Sequence, residues 1–227
     1  ENMADVASPQ RTRIKICGFT READVQAAVA AGVDAVGFVL YGKSPRCGSA
    51  QRAGELAALL PPFVTPVLLF VNASAEEIAQ AARLLPHALI QLHGDETPAF
   101  AQSLQRPYIK AARIPLGAES TFDFAGFCQD FASAQGILLD AKVEGFGGSG
   151  QAFDWACLPA DFSQHLLLSA GLKPDTVGQA VQRFSALGYS FAVDVSSGVE
   201  IAPGIKDAQK MQAFCWAVRQ ADAARGH

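Results

Sequence analysis

Two reactive side chains and one loop stand out. Residues 136–155 read GILLDAKVEGFGGSGQAFDW, an apolar run that ends in an acid and then a glycine-rich stretch. Ile137, Leu138 and Leu139 suit a strand buried on both faces, and Asp140 marks where that strand emerges. A carboxyl there can donate a proton, and it can equally cap a helix or pair with a cation. Cys17 closes an earlier alternating segment and is followed by Gly18, whose freedom to turn would expose the thiol. A thiol of pKa about 8.5 becomes a usable base when a cation or a helix terminus lowers that value, whereas most such cysteines are small apolar residues at a strand end.

Gly145, Gly147 and Gly150 satisfy GxGxxG, the pattern of a dinucleotide loop. In that motif a good helix follows directly and an acid stands about 20 positions on. Here Pro159 cuts the helix short and no acid lies around 169–171, so the glycines read instead as an active-site loop able to close over a ligand.

Gly171, together with Ser196, Ser197 and Gly198, offers amides and hydroxyls suited to a phosphate, or to an ordinary serine-glycine turn. Arg46, in Ser44-Pro45-Arg46, could clamp a carboxylate through two N–H groups or remain a solvated surface arginine. His93, after Gln91-Leu92, reads as a satisfied histidine below the site, and Asp194 precedes the serine pair. The histidines at 87, 93, 165 and 227 show neither HxH nor HExxH spacing, and no metal is implied. The five cysteines are widely spaced and odd in number, which argues against a disulfide framework and a zinc site and for a reducing cytoplasm.

The elements that must carry these residues repeat. Strands are expected at 13–17, 35–40, 67–71, 88–92, 108–114, 136–140, 165–169 and 191–195. Helices are expected at 21–31, 50–60, 75–85, 98–104, 122–131, 153–158, from Pro174 to Phe184, and from Ile205 to Ala223. Asn72 or Ser74 is the expected cap of the third helix, and Pro174 suits the first turn of the seventh. Strand-then-helix units without a linker or composition break point to a single (β/α)8 barrel over residues 13–227, a TIM barrel, in preference to an open doubly wound sheet. Residues 1–12 read as a disordered tail without the cationic start and apolar centre of a secretory signal. In such barrels chemistry belongs at the C-terminal ends of the strands, which is where Cys17, Asn72, His93, Asp140, 169–171 and 194–198 fall.

The 227 residues are 50% hydrophobic and 18% charged, enough for a sizeable core. A net charge of −4 gives no electrostatic reason to expect nucleic acid or an anionic membrane as partner. Prolines and charges interrupt every apolar run before the roughly 18 residues a spanning helix needs. A monomer is the expectation.

Taken together, Lys15-Ile16-Cys17-Gly18, Ser44-Pro45-Arg46, Phe70-Val71-Asn72, Gln91-Leu92-His93-Gly94, Leu139-Asp140, Gly147-Gly148-Ser149-Gly150 with Phe153-Asp154-Trp155, and Asp194-Val195-Ser196-Ser197-Gly198-Val199-Glu200 resemble the phosphoribosylanthranilate isomerases of tryptophan biosynthesis. The likeness runs in order from Arg13 to Phe214. It implies a cofactor-free Amadori rearrangement of a phosphorylated small molecule, N-(5-phosphoribosyl)anthranilate, to an aminoketose. By that resemblance Asp140 is the general acid and Cys17 the general base. It also implies that Arg46 holds the anthranilate carboxylate, that Gly171 and 196–198 hold the phosphate, and that Asp194 positions the sugar.

In one place the chain departs from the pattern, with Ala170-Gly171 where the family carries two glycines, and the added methyl can crowd the phosphate. The related isomerase barrel of histidine biosynthesis carries an aspartate where this chain has Cys17, so Cys17 discriminates between the two. An oxidoreductase would need the dinucleotide context that fails above, and a non-catalytic phosphate-binding barrel is the third alternative.

Overall fold

The computed structural model describes residues 11–114, 121–141, 164–169, 171–188 and 191–226. Within them the chain alternates strand and helix: β1 (Arg13–Cys17), α1 (Glu22–Ala31), β2 (Ala35–Val39), α2 (Ala50–Ala57), β3 (Thr65–Phe70), α3 (Ala75–Leu84), β4 (Leu89–Leu92), α4 (Pro98–Ser103), β5 (Tyr108–Ile114), α5 (Phe124–Asp130), β6 (Gly136–Ala141), β7 (His165–Ser169), α6 (Val177–Ser185), β8 (Phe191–Val195), β9 (Glu200–Ala202), β10 (Ile205–Lys206) and α7 (Ala208–Ala223). Strands β1 to β8 pair in sequence order, and β8 pairs in parallel with β1, which closes the barrel. The expected TIM barrel is the observed one.

Local chemistry sets the element ends. Ser74 and Glu77 form a reciprocal capping box at the start of α3, Thr97 caps α4 with Pro98 in its first turn, and Asp207 caps α7. Of the two cap residues expected for α3, Ser74 is the one used. Asn72 stands in the left-handed region at φ 52° and its Oδ1 accepts from the Asp95 amide at 2.7 Å.

Strand alternation divides the core in two. Residues such as Ile14, Ile16, Leu68, Ile90, Ile137, Leu139, Leu166 and Val193 face outward and pack beneath the helices. Ile109, Ala111, Leu138 and Leu167 form a separate cluster inside the barrel. Cys17, Val39 and Leu69 form another, nearer the mouth.

Three expectations change. Residues 11 and 12, expected in the tail, are held: Arg11 pairs with Asp34 through bonds of 2.9 and 2.6 Å, and buried Thr12 donates twice to Asp222. Pro174 lies in a turn before α6, whose cap position is Thr176. Ile205 and Lys206 begin no helix. They form an antiparallel hairpin with Glu200–Ala202, and the Lys206 amide donates to Asp24 at 3.0 Å. The glycine loop with Gly145, Gly147 and Gly150, the helix at 153–158 and Ala170 lie outside the described residues, as do residues 1–10.

Candidate active site

Cys17 and Asp140 both occupy the C-terminal ends of barrel strands, with β7 and β8 between theirs. Their settings differ. Cys17 is only 5% exposed. Gly18 makes the expected turn at φ 89°, but that turn leaves the thiol inside the barrel instead of exposing it. Burial pushes the Cys17 thiol up; Lys15 and then Lys206 act against that rise, and Asp194 adds to it.

The Asp140 side chain is 39% exposed and lies 3.0 Å from His93 Nε2. His93 Nδ1 in turn lies 3.1 Å from the Gln91 side-chain nitrogen, so the amide as placed donates to Nδ1 and leaves the proton on Nε2, facing the carboxylate. From its sequence position His93 is expected below the site. The structure puts it in contact with the proposed acid.

Arg46 is not free. Its Nε and one Nη2 proton bind the two carboxylate oxygens of Glu200, each at 2.7 Å. Lys206 also donates to Glu200, at 2.8 Å, and reaches the Cys17 carbonyl at 2.6 Å. Burial works to raise the Glu200 pKa, but the bonds from Arg46 and Lys206 outweigh it and hold the carboxylate below its usual range. A guanidinium has five N–H donors in a fixed fork, so the edge turned from Glu200 can still take a second carboxylate. Glu200, the group that aims Arg46, is not evident from the sequence. Its one local signal was an acid directly after the serine-glycine turn.

Ser196, Ser197 and Gly198 follow β8, and residues 197–199 make a single 3₁₀ turn. The first amides of such a turn have no acceptor inside it. Ser197 is exposed, whereas Ser196 spends its hydroxyl on the Cys17 carbonyl at 3.0 Å. A Cβ on Gly198 would lie 2.0 Å from the Leu172 carbonyl oxygen, a close approach that joins the β8 turn to the β7 loop containing Gly171, which stands at φ 64°. The four expected phosphate-seat residues therefore share one side of the mouth. Asp194 lies deeper: it is 5% exposed, its Oδ1 accepts from Lys15 at 2.8 Å and its Oδ2 from Ser169 at 3.0 Å.

A cavity of 340 Å³ at the opposite, N-terminal end of the barrel, lined among others by Arg13, Asp34, Gln135 and His165, contains none of the expected site residues. Among the described residues no three His, Cys, Asp or Glu side chains gather as a metal site, and no helix is long and apolar enough to cross a membrane.

A closed parallel barrel with a thiol, a carboxyl and a serine-glycine turn at its C-terminal mouth defines a (β/α)8 enzyme, and the comparisons make it an isomerase. A sequence profile described as N-(5'-phosphoribosyl)anthranilate (PRA) isomerase matches residues 14–217. The N-(5'-phosphoribosyl)anthranilate isomerase of Leptothrix cholodnii is 54% identical over 218 residues, 96% of each chain. That of Methylibium petroleiphilum is 56% identical over 213 residues, covering 94% of this chain and 96% of its own. A crystal structure of phosphoribosyl anthranilate isomerase in complex with reduced 1-(o-carboxyphenylamino)-1-deoxyribulose 5-phosphate superposes with a TM-score of 0.76 at 35% identity, covering 92% of this chain and 99% of that one. The chain belongs to the N-(5'-phosphoribosyl)anthranilate isomerase family.

Proposed function

We propose that this protein converts N-(5-phosphoribosyl)anthranilate into 1-(2-carboxyphenylamino)-1-deoxyribulose 5-phosphate in tryptophan biosynthesis, with Asp140 as acid and Cys17 as base. The observation that carries the assignment is the convergence of these two proton-transfer groups on one barrel mouth beside a serine-glycine turn. Asp140 gives its proton to the ribose ring oxygen as the C1′–O bond breaks, leaving an iminium at C1′ and a hydroxyl at C4′. The Cys17 thiolate removes the C2′ proton, and the electron pair moves to give an enolamine. Protonation of C1′ and loss of the 2′-hydroxyl proton complete the ketone. The sequence is redox-neutral, so the acid-base pair suffices for it.

The two charged ends of the substrate have separate partners at the mouth. The relative crystallised with the reduced product analogue holds a molecule that carries both a carboxylate and a phosphate. Here the open edge of Arg46 takes the carboxylate, and the amides at Ser197, Gly198 and Gly171 take the phosphate. Asp194 takes one donor on each oxygen and keeps a lone pair on each for a sugar hydroxyl. A reducing cytoplasm suits a base that must remain a free thiol.

Cys17→Ala and Asp140→Ala each lose about 10²-fold or more in turnover if each group transfers a proton, with circular dichroism and melting unchanged. Near-normal turnover by folded Asp140→Ala would remove the acid role. Growth of a tryptophan auxotroph that lacks this isomerase tests the activity itself, and no growth on expression of the wild-type gene would overturn the reading.

A further inference from the structure

We propose that Lys15 is the counter-ion of the Cys17 thiolate and that Asp194, which pairs with Lys15, competes with the thiolate for it. The inference rests on the reading of Cys17 as base. Lys15 and Cys17 are two residues apart on β1, so both point into the barrel. Lys15 is 2% exposed and pairs in register with Asp194, the Nζ–Oδ1 distance being 2.8 Å. Ser169 occupies the other oxygen of Asp194 at 3.0 Å, so the carboxylate is fixed from β7 and fixes the ammonium on β1. The ammonium then has N–H bonds left over on the buried inward face that it shares with the thiol one pleat above.

Stability alone gives no reason for this pair. Taking an ammonium and a carboxylate out of water costs several kcal/mol per ion, and an apolar pair of the same volume is often as stable. The charge balance around Cys17 gives a reason. Lys15, Lys206 and Arg46 surround it, and Asp194 and Glu200 oppose them. Arg46 and Lys206 share the single carboxylate of Glu200. Three cations face two anions, so the cluster is one positive charge in excess while the thiol is protonated and neutral once it ionises. Burial alone would keep the proton on sulfur, and the excess cation opposes that. Lys206 approaches the backbone carbonyl of Cys17, whereas Lys15 lies on the face that bears the side chain.

The test is the ionisation of Cys17 itself, read as ultraviolet thiolate absorbance against pH and taken as the difference between each protein and its Cys17→Ala counterpart. Lys15→Met should raise the midpoint by about one pH unit or more, the usual effect of removing an opposite charge in contact. Asp194→Asn should lower it. The double variant guards against misfolding from an unpaired Asp194 and should remain above wild type. The alkaline rise of kcat/KM should move with each midpoint. An unchanged midpoint in folded Lys15→Met, or an upward shift in Asp194→Asn, overturns the proposal. Full turnover by Cys17→Ala would instead defeat the reading of Cys17 as base, and the ionisation measurement would stand apart from it.

Discussion

Gly37→Ala should cripple turnover without replacing any group that reacts. Gly37 is the registered neighbour of Cys17 across β1 and β2. A Cβ added there would stand 2.6 Å from the Cys17 Sγ and 3.1 Å from both its Cα and Cβ. Carbon contacts are comfortable from about 3.5 Å, so the sulfur must retreat by roughly 1 Å. Rotation alone cannot clear the clash, because the Cα is crowded too and the Gly37 carbonyl holds the Gly18 and Phe19 amides at 2.9 and 3.1 Å. Overpacking of this kind costs about 1–3 kcal/mol, and each kcal/mol lowers the melting temperature of a chain this long by about 2–4 °C. A reacting atom displaced by about 1 Å costs about 10²-fold in rate. Steady-state turnover followed by substrate fluorescence should show that loss in kcat, with KM nearly constant because Arg46 and the 196–198 turn are undisturbed. Gly42→Ala meets nothing within 4 Å and should behave as wild type. A folded Gly37→Ala enzyme with normal kcat would refute either the placement of the thiol or its role.

Glu200→Ala should raise KM by about tenfold, equivalent to about 1.4 kcal/mol, because Arg46 loses both bonds that aim it; an unchanged KM in steady-state kinetics would separate Glu200 from carboxylate binding. Lys110→Met should lower stability in urea unfolding by about 3–5 kcal/mol, because it strands the buried Glu96, which Lys110 binds at 2.9 Å. Burial pushes the Glu96 pKa up, but the bonds from Lys110 and the Asn72 amide win and hold it down. Glu96 therefore contributes stability above its unfolded pKa of about 4.3 that is lost as pH falls further, and the variant should lose that acid dependence.

The barrel was legible because strands buried on both faces must be apolar at successive positions, and Val67-Leu68-Leu69-Phe70 or Ile137-Leu138-Leu139 have few other uses. The start of α7 was not. Ile205 and Lys206 continue a plausible helical pattern, and what takes them out of it is tertiary: Glu200 and Asp24 claim Lys206. Cys17 and Asp140 could be found as reactive residues at strand ends. The groups that set their behaviour could not be found that way, since Glu200 lies 154 residues from Arg46 and Asp194 lies 179 from Lys15. Lys15 did leave a signal. A lysine that alternates with Cys17 on the inward face of a buried strand needs a buried partner, and period-two reading of Arg13-Ile14-Lys15-Ile16-Cys17 exposes it.

On the proposed roles, the contrast between acid and base has a chemical reason. Asp140 gives up a proton in every cycle and must recover it, and a carboxyl that is 39% exposed has solvent from which to do so. Cys17 acts on C2′ of an imine that water would hydrolyse, so the same access there would destroy the intermediate. Its 5% exposure protects the imine but disfavours the thiolate. A buried cation answers that conflict without admitting water. It acts from below, through Lys15, and leaves the mouth above the thiol to the substrate.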